Sequence, residues 1–296
     1  MRLLRLKTVL AATDLEPSSD SAVESAIRLA DAAGAKLHLV YVSPDRPGVD
    51  SPSQETESAM TVFRERVGWS GDNRRVHVST GDPGSTISRL SDEIKADVVV
   101  IGRHRQRADR KSSSPIGSTA YDVVTRALAP CLIASRSLEV PIQRALVAID
   151  TSETARGALL VALSWASALR HSSSDASATT LTVLHIETPQ PLSSHDADRK
   201  RIVDHELDVL KRGADPWAGV SVTAATKKSK DPVSGIIRFA KDQKPDLVVL
   251  GTRGLSEKNA SGLGSVSSAV TNRVDMPVLL VPPAVWRQHA RDIDYL

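Results

Sequence analysis

Gly251-Thr252-Arg253-Gly254 follows directly on the apolar run Leu247-Val248-Val249-Leu250, and Gly264-Ser265-Val266 follows after nine further residues, 255–263. Residues of these types at this spacing can hold a chain of phosphates. Two glycines after a buried strand let backbone N–H groups approach an anion with no Cβ in the way. The last pair would open a helix, whose first N–H groups have no intrahelical partner and face the same anion. The plain alternative is a Gly-rich surface loop without a ligand, but a fixed spacing between a strand and a helix start favours the phosphate seat. Asp150 adds a carboxylate at the end of a second apolar run, Leu146-Val147-Ala148-Ile149. Its place before Thr151-Ser152-Glu153 also suits a helix N-cap.

Other chemistries lack their residues. A dinucleotide fold needs G-x-G-x-x-G after its first strand, where Thr13-Asp14-Leu15-Glu16 and Ile149-Asp150-Thr151-Ser152 stand instead. The sequence contains no G-x4-G-K-[ST], G-x-S-x-G or H-E-x-x-H motif. A response-regulator receiver would carry lysine at the end of its fifth strand, and Arg136 and Pro282 occupy those ends. Cys131 is the single cysteine, so neither an intrachain disulfide nor a cysteine metal cluster is available. His185 lies within an apolar strand and reads as a satisfied core histidine. The 38 basic and 35 acidic side chains nearly cancel, and 3% aromatic content is too low for a base-stacking platform, which argues against nucleic acid.

The elements that position these residues occur twice. Asp14 and Asp150 end matching apolar runs 136 residues apart, while Asp82-Pro83 matches Asp231-Pro232, and Asp97 to Gly102 matches Asp246 to Gly251, each 149 residues on. The chain is a tandem duplication, and 296 residues suffice for two domains of roughly 150. The boundary is expected near Ser137 to Gln143, giving domains 1–138 and 139–296. Short β-rich runs alternate with helical patterns, which predicts parallel sheets covered by helices. Strands are expected near 8–13, 37–42, 75–79, 97–101 and 131–135, then near 144–149, 180–186, 220–225, 246–250 and 278–281. Pro17 with Ser18 and Ser19 signals a helix start. Asp45 to Ser58, His171 to Ala178 and Glu187 to Asp198 read as irregular connectors, and the tail from Ala284 as a short helix or a fraying end. In such a sheet the ligand crevice lies beyond the carboxyl ends of the strands, where strand order reverses. Asp150, Ile186 and Gly251 end three strands there and are expected to meet.

The G-x2-G-x9-G-[ST] pattern of Gly251, Gly254, Gly264 and Ser265 resembles the phosphate-cradling signature of the ATP-binding universal stress proteins. Nearly the whole chain is similar to a tandem-domain member of that family, most strongly over 246–282. The resemblance implies an α/β fold of two tandem five-stranded parallel-sheet domains of the adenine-nucleotide α-hydrolase-like, Rossmann-like type, with helices on both faces. It implies that Asp150 contacts the ribose or the triphosphate with its Mg or Mn, and that Ile186 holds adenine through its backbone. Gly251, Thr252, Arg253, Gly254, Gly264, Ser265 and Val266 would wrap the phosphates of ATP. The implied function is a stress-response regulator or interaction module acting through ligand-dependent association with a protein partner. Slow ATP hydrolysis and a structural scaffold without nucleotide are the alternatives. Hydrolysis would need a base to orient water, and beyond Asp150 the sequence places none. Family members commonly dimerise through the last strand, so an intrachain pseudo-dimer through Cys131 to Ser135 and Val278 to Val281 is expected, with a homodimer as a further expectation.

The first half departs from the pattern. Arg105 stands where the second glycine belongs, and Gly117-Ser118-Thr119 comes after eleven residues, 106–116, instead of nine. Only the second half is therefore expected to bind nucleotide. Arg103, His104, Arg105, Arg107, Arg110 and Lys111 form a basic loop that reads as a solvated face. Arg5 and Lys7 interrupt the apolar N-terminal run, and no stretch reaches the roughly 18 apolar residues of a membrane span, so a cytoplasmic protein without a membrane partner is expected.

Overall fold

The structure, a computed structural model, describes residues 5–43, 54–70, 74–103, 116–150, 152–169, 179–189, 219–254 and 262–289. The chain divides into two compact units, Leu6–Glu139 and one built on Val140–Leu296. The first contains β1 (Thr8–Thr13), α1 (Asp20–Ala33), β2 (Lys36–Ser43), α2 (Gln54–Arg66), β3 (Arg74–Thr80), α3 (Pro83–Glu93), β4 (Val98–Gly102), α4 (Ser118–Arg126) and β5 (Cys131–Ala134). Its strands pair in parallel in the order β3-β2-β1-β4-β5. The second contains β6 (Arg144–Ala148), α5 (Glu153–Ala168), β7 (Thr179–Glu187), β8 (Val220–Lys228), α6 (Pro232–Gln243), β9 (Leu247–Gly251), α7 (Ser265–Arg273), β10 (Val278–Val281) and α8 (Pro283–His289). Its parallel order is β8-β7-β6-β9-β10. All ten expected strands are present, each within one to three residues of its expected ends.

The local causes are readable. Inner strands β4 and β9 bury every residue but the final glycine, which is why they read as unbroken apolar runs. The repeated Asp-Pro-x-Ser is a helix start. Asp82 accepts the Ser85 N–H at 2.8 Å and Asp231 the Ser234 N–H at 2.8 Å, with proline in the first turn where its missing N–H costs nothing. Those bonds, with the serine hydroxyls, hold both carboxyls below their ordinary range, so the caps stay charged. At the end of the first unit, Leu138 is fully buried and its N–H bonds Ser25 Oγ at 2.8 Å, while Ser137 Oγ bonds the Glu24 carboxylate.

One expectation needs correction, and two others are made more definite. Gln54–Arg66 is a helix, although its first residues fell in the segment read as irregular. Its buried stripe is thin, Thr56, Met60 and Phe63 followed by Val67, and is set among charges that hide the period. Pro17–Ser19 forms a 3-10 turn, and α1 proper begins at Asp20. In the tail, Pro283–His289 is helical and its Trp286 packs on α5, where a Cβ on Gly157 would lie 3.5 Å from the Trp286 Cβ. The connectors at 44–53, 171–178 and 190–198, the basic loop from 104, and the tail beyond 289 lie outside the described residues. Among the described residues no helix is long and apolar enough to cross a membrane.

Candidate functional site

In the second unit β6 pairs with β7 on one side and β9 on the other, so strand order reverses there and a crevice opens at the carboxyl ends. The β6–β7 ladder stops at Ala148↔Leu184, while β7 continues to Glu187 alongside β8. The backbone of Ile186 therefore runs past the end of β6, level with Asp150. Its side chain turns under α6, where Gly235 makes room: a Cβ there would lie 2.8 Å from Ile186 Cδ1.

Asp150 and Gly254 come together. Asp150 Oδ1 accepts the Ser152 N–H at 2.9 Å, and a Cβ on Gly254 would lie 3.0 Å from Asp150 Oδ2. The N-cap of α5 is Ser152, whose Oγ accepts the Ala155 N–H at 3.2 Å, so Asp150 forms a turn ahead of the cap. His185 Nδ1 lies 3.2 Å from the Ile149 carbonyl, so Nδ1 carries the proton and the ring serves the strand end.

The glycine loop is held through its carbonyls. Ser267 Oγ donates to the Gly251 carbonyl at 2.6 Å, and the Gly264 N–H to the Thr252 carbonyl at 2.7 Å. Thr154 Oγ1 donates to the Arg253 carbonyl, and Arg253 Nε to the Gly262 carbonyl at 3.0 Å. A trans peptide unit is planar, so a carbonyl drawn into the protein turns the following N–H the other way. The N–H groups of Arg253, Gly254 and Leu263 thus point away from these bonds. Gly264 caps α7 at φ −60°, and the helix begins at Ser265 and Val266. The space at Gly251 belongs to Thr154, because a Cβ there would lie 2.6 Å from Thr154 Oγ1. Its missing Cβ admits a neighbouring side chain, whereas the spacing had suggested that it admits an anion. Arg253, expected on the phosphates, has its Nε engaged in closing the loop.

Four contributors escaped the sequence reading: Ser152, Thr154, Ser267 and Gly262. Hydroxyl residues near a helix start read as ordinary caps. Gly262, at φ 131°, stood in plain view within the nine-residue spacer as a third glycine in a conformation side chains rarely adopt.

A model of the Universal stress protein family matches residues 5–135 and again 141–282. The chain belongs to this family. Over 143 residues, 46% of the chain and 96% of the relative, it is 31% identical to Universal stress protein YxiE of Bacillus subtilis (strain 168). Its fold is similar to that of a universal stress protein from Archaeoglobus fulgidus DSM 4304, with TM-score 0.69 and 18% identity over 95% of this chain and 100% of that one. A candidate universal stress protein from Pseudomonas aeruginosa UCBPP-PA14 compares at TM-score 0.66 and 17% identity over 97% of each chain. Both solved structures span the tandem arrangement of this universal stress protein.

Proposed function

We propose that the second unit binds an adenine nucleotide, ATP first among them, and that the protein acts in a stress response as a ligand-dependent regulator or interaction module. The observation that carries this reading is the inward pinning of the Thr252, Arg253 and Gly262 carbonyls, with Asp150 beside Gly254, which turns the Arg253, Gly254 and Leu263 N–H groups the other way, toward an anion. Phosphates would lie against Gly254 and the start of α7 at Gly264, Ser265 and Val266, and adenine along the Ile186 backbone. Among the described residues Asp150 is the carboxylate beside Gly254, and a phosphate there would repel it. A divalent ion such as Mg or Mn, completed by phosphate oxygens and water, would relieve that repulsion.

Among its described residues the first unit is built differently at the matching strand end. There the backbone of the 3-10 turn covers the strand end: a Cβ on Gly102 would lie 3.4 Å from the Ser18 carbonyl. The Ser19 hydroxyl is committed to the Glu16 carbonyl at 2.9 Å and to Thr13 Oγ1 at 2.8 Å. Gly117 enters α4 at φ 84°, against −60° for Gly264 at α7, so the chain reaches the two helices from different directions. We therefore assign the nucleotide to the second unit alone.

Denaturing the purified protein and analysing the released small molecules by mass spectrometry tests the ligand directly, and an adenine nucleotide is the expected result. Calorimetry then tests the site. Gly254→Val places a branched side chain against Asp150 Oδ2 and the phosphate position, at the mobile end of a side chain that can yield, so the protein should fold. ATP affinity should fall at least tenfold, about 1.4 kcal/mol. Unchanged affinity in the folded variant would refute the site.

A further inference from the structure

We propose that Thr154 is a positioning residue for the phosphate loop, its hydroxyl fixing the Arg253–Gly254 peptide so that the Gly254 N–H is presented to the anion. The inference rests on the nucleotide reading above. Thr154 stands in the first turn of α5 and is buried at 5% exposure. Its single hydroxyl proton goes to the Arg253 carbonyl. The Ser152 hydroxyl, 3.0 Å away, must then donate to Thr154 Oγ1, while Ser152 Oγ itself takes the Ala155 N–H at 3.2 Å. The protons of this chain therefore all run one way, from the α5 backbone through Ser152 and Thr154 to the loop. A carbonyl held at Arg253 dictates the opposite direction for the Gly254 N–H, since both belong to one planar trans unit. Gly251 completes the device, because its missing Cβ is the space that Thr154 occupies.

The hydroxyl side chain beside the matching glycine of the first unit is directed elsewhere. Ser19 sits over Gly102, but its proton goes to the Glu16 carbonyl within its own turn. Among the described residues, the hydroxyl that reaches the glycine loop belongs to the unit that keeps both Gly251 and Gly254.

The test pairs Thr154→Val, which keeps the shape and removes the donor, with Thr154→Ser, which restores it. Thr154→Ala serves if the valine protein does not fold. ATP affinity should fall three- to tenfold in the valine or alanine protein, the scale of one hydrogen bond, and return in the serine protein. Adenosine, which has no phosphates, should bind all of them equally. In ligand-free protein the Gly254 amide resonance should shift in Thr154→Val and recover in Thr154→Ser. ATP affinity in the valine or alanine protein equal to wild type, or parallel losses for ATP and adenosine, would overturn the role of Thr154 alone. A wild-type chain that took up neither ATP nor adenosine would overturn the nucleotide reading and this role with it.

Discussion

Glycines 251 and 254 belong to one motif yet answer to different neighbours, Thr154 and Asp150, and side chains elsewhere divide labour at the same fine grain. His38 on β2 and His77 on β3 meet through Nδ1 and Nε2 at 2.8 Å, with their rings in nearly parallel planes, 9° apart. One nitrogen donates and the other accepts, so the folded pair cannot hold a charge on both rings. Burial lowers both pKa values most. For His38, His77 itself, Arg75 and Lys36 add to the effect, and for His77, Arg75 adds while Glu93 opposes. The sign follows from linkage. The unfolded chain takes up protons near the ordinary value of 6.5 while the folded pair still resists them. Stability from this pair is complete above 6.5 and is lost as pH falls below it. Urea midpoints measured from neutral to mildly acid pH should therefore drop in the wild type, and drop less in a His38→Gln, His77→Gln protein. Equal slopes would show that the pair does not govern the acid limb.

At the scale of elements, close approach of helices is set by missing side chains. A Cβ on Gly84 in α3 would lie 2.5 Å from the Asp122 Cβ in α4, and neither atom is at the free end of a chain. Gly84→Ala gains at most about 1 kcal/mol in helix propensity. The overpacking it forces costs about 1–3 kcal/mol. The net effect should be a loss of stability, read as a lower Tm, with the secondary structure retained. A higher Tm would mean that the crossing relaxes without strain. The corresponding positions of the second unit, Val233 and Ala269, carry side chains, so the repeat has diverged at this contact.

At the scale of the whole molecule, the duplication has produced two units with the same strand order and different strand ends. The second keeps Gly254 and a loop pinned by Ser267, Thr154 and Arg253; the first has Arg105, a longer loop, and a 3-10 turn laid over Gly102. Exposed cations are screened within about 8 Å at physiological salt, so the basic loop is a weak substitute for oriented N–H groups. Isothermal titration with ATP should give a stoichiometry near one per chain, abolished by Gly254→Val and little changed by Arg105→Ala. Two equivalent nucleotides per chain would refute the asymmetry.

The sequence by itself determined the duplication, the ten strands and the Asp-Pro-x-Ser helix starts, because each depends on neighbours in the chain: an apolar run, a cap three residues from its donor, a glycine at a strand end. It also singled out Asp150, Ile186 and Gly251 as strand ends that a switch point must gather. The tertiary structure decided what those residues do with the space around them. Gly251 makes room for Thr154, 97 residues earlier in the chain, and Arg253 gives its Nε–H to the Gly262 carbonyl. Local spacing carries no information about which distant hydroxyl will reach a given carbonyl. That contact exists only once α5 and β9 pack together, and it is the contact that orients the peptide on which the proposed site depends.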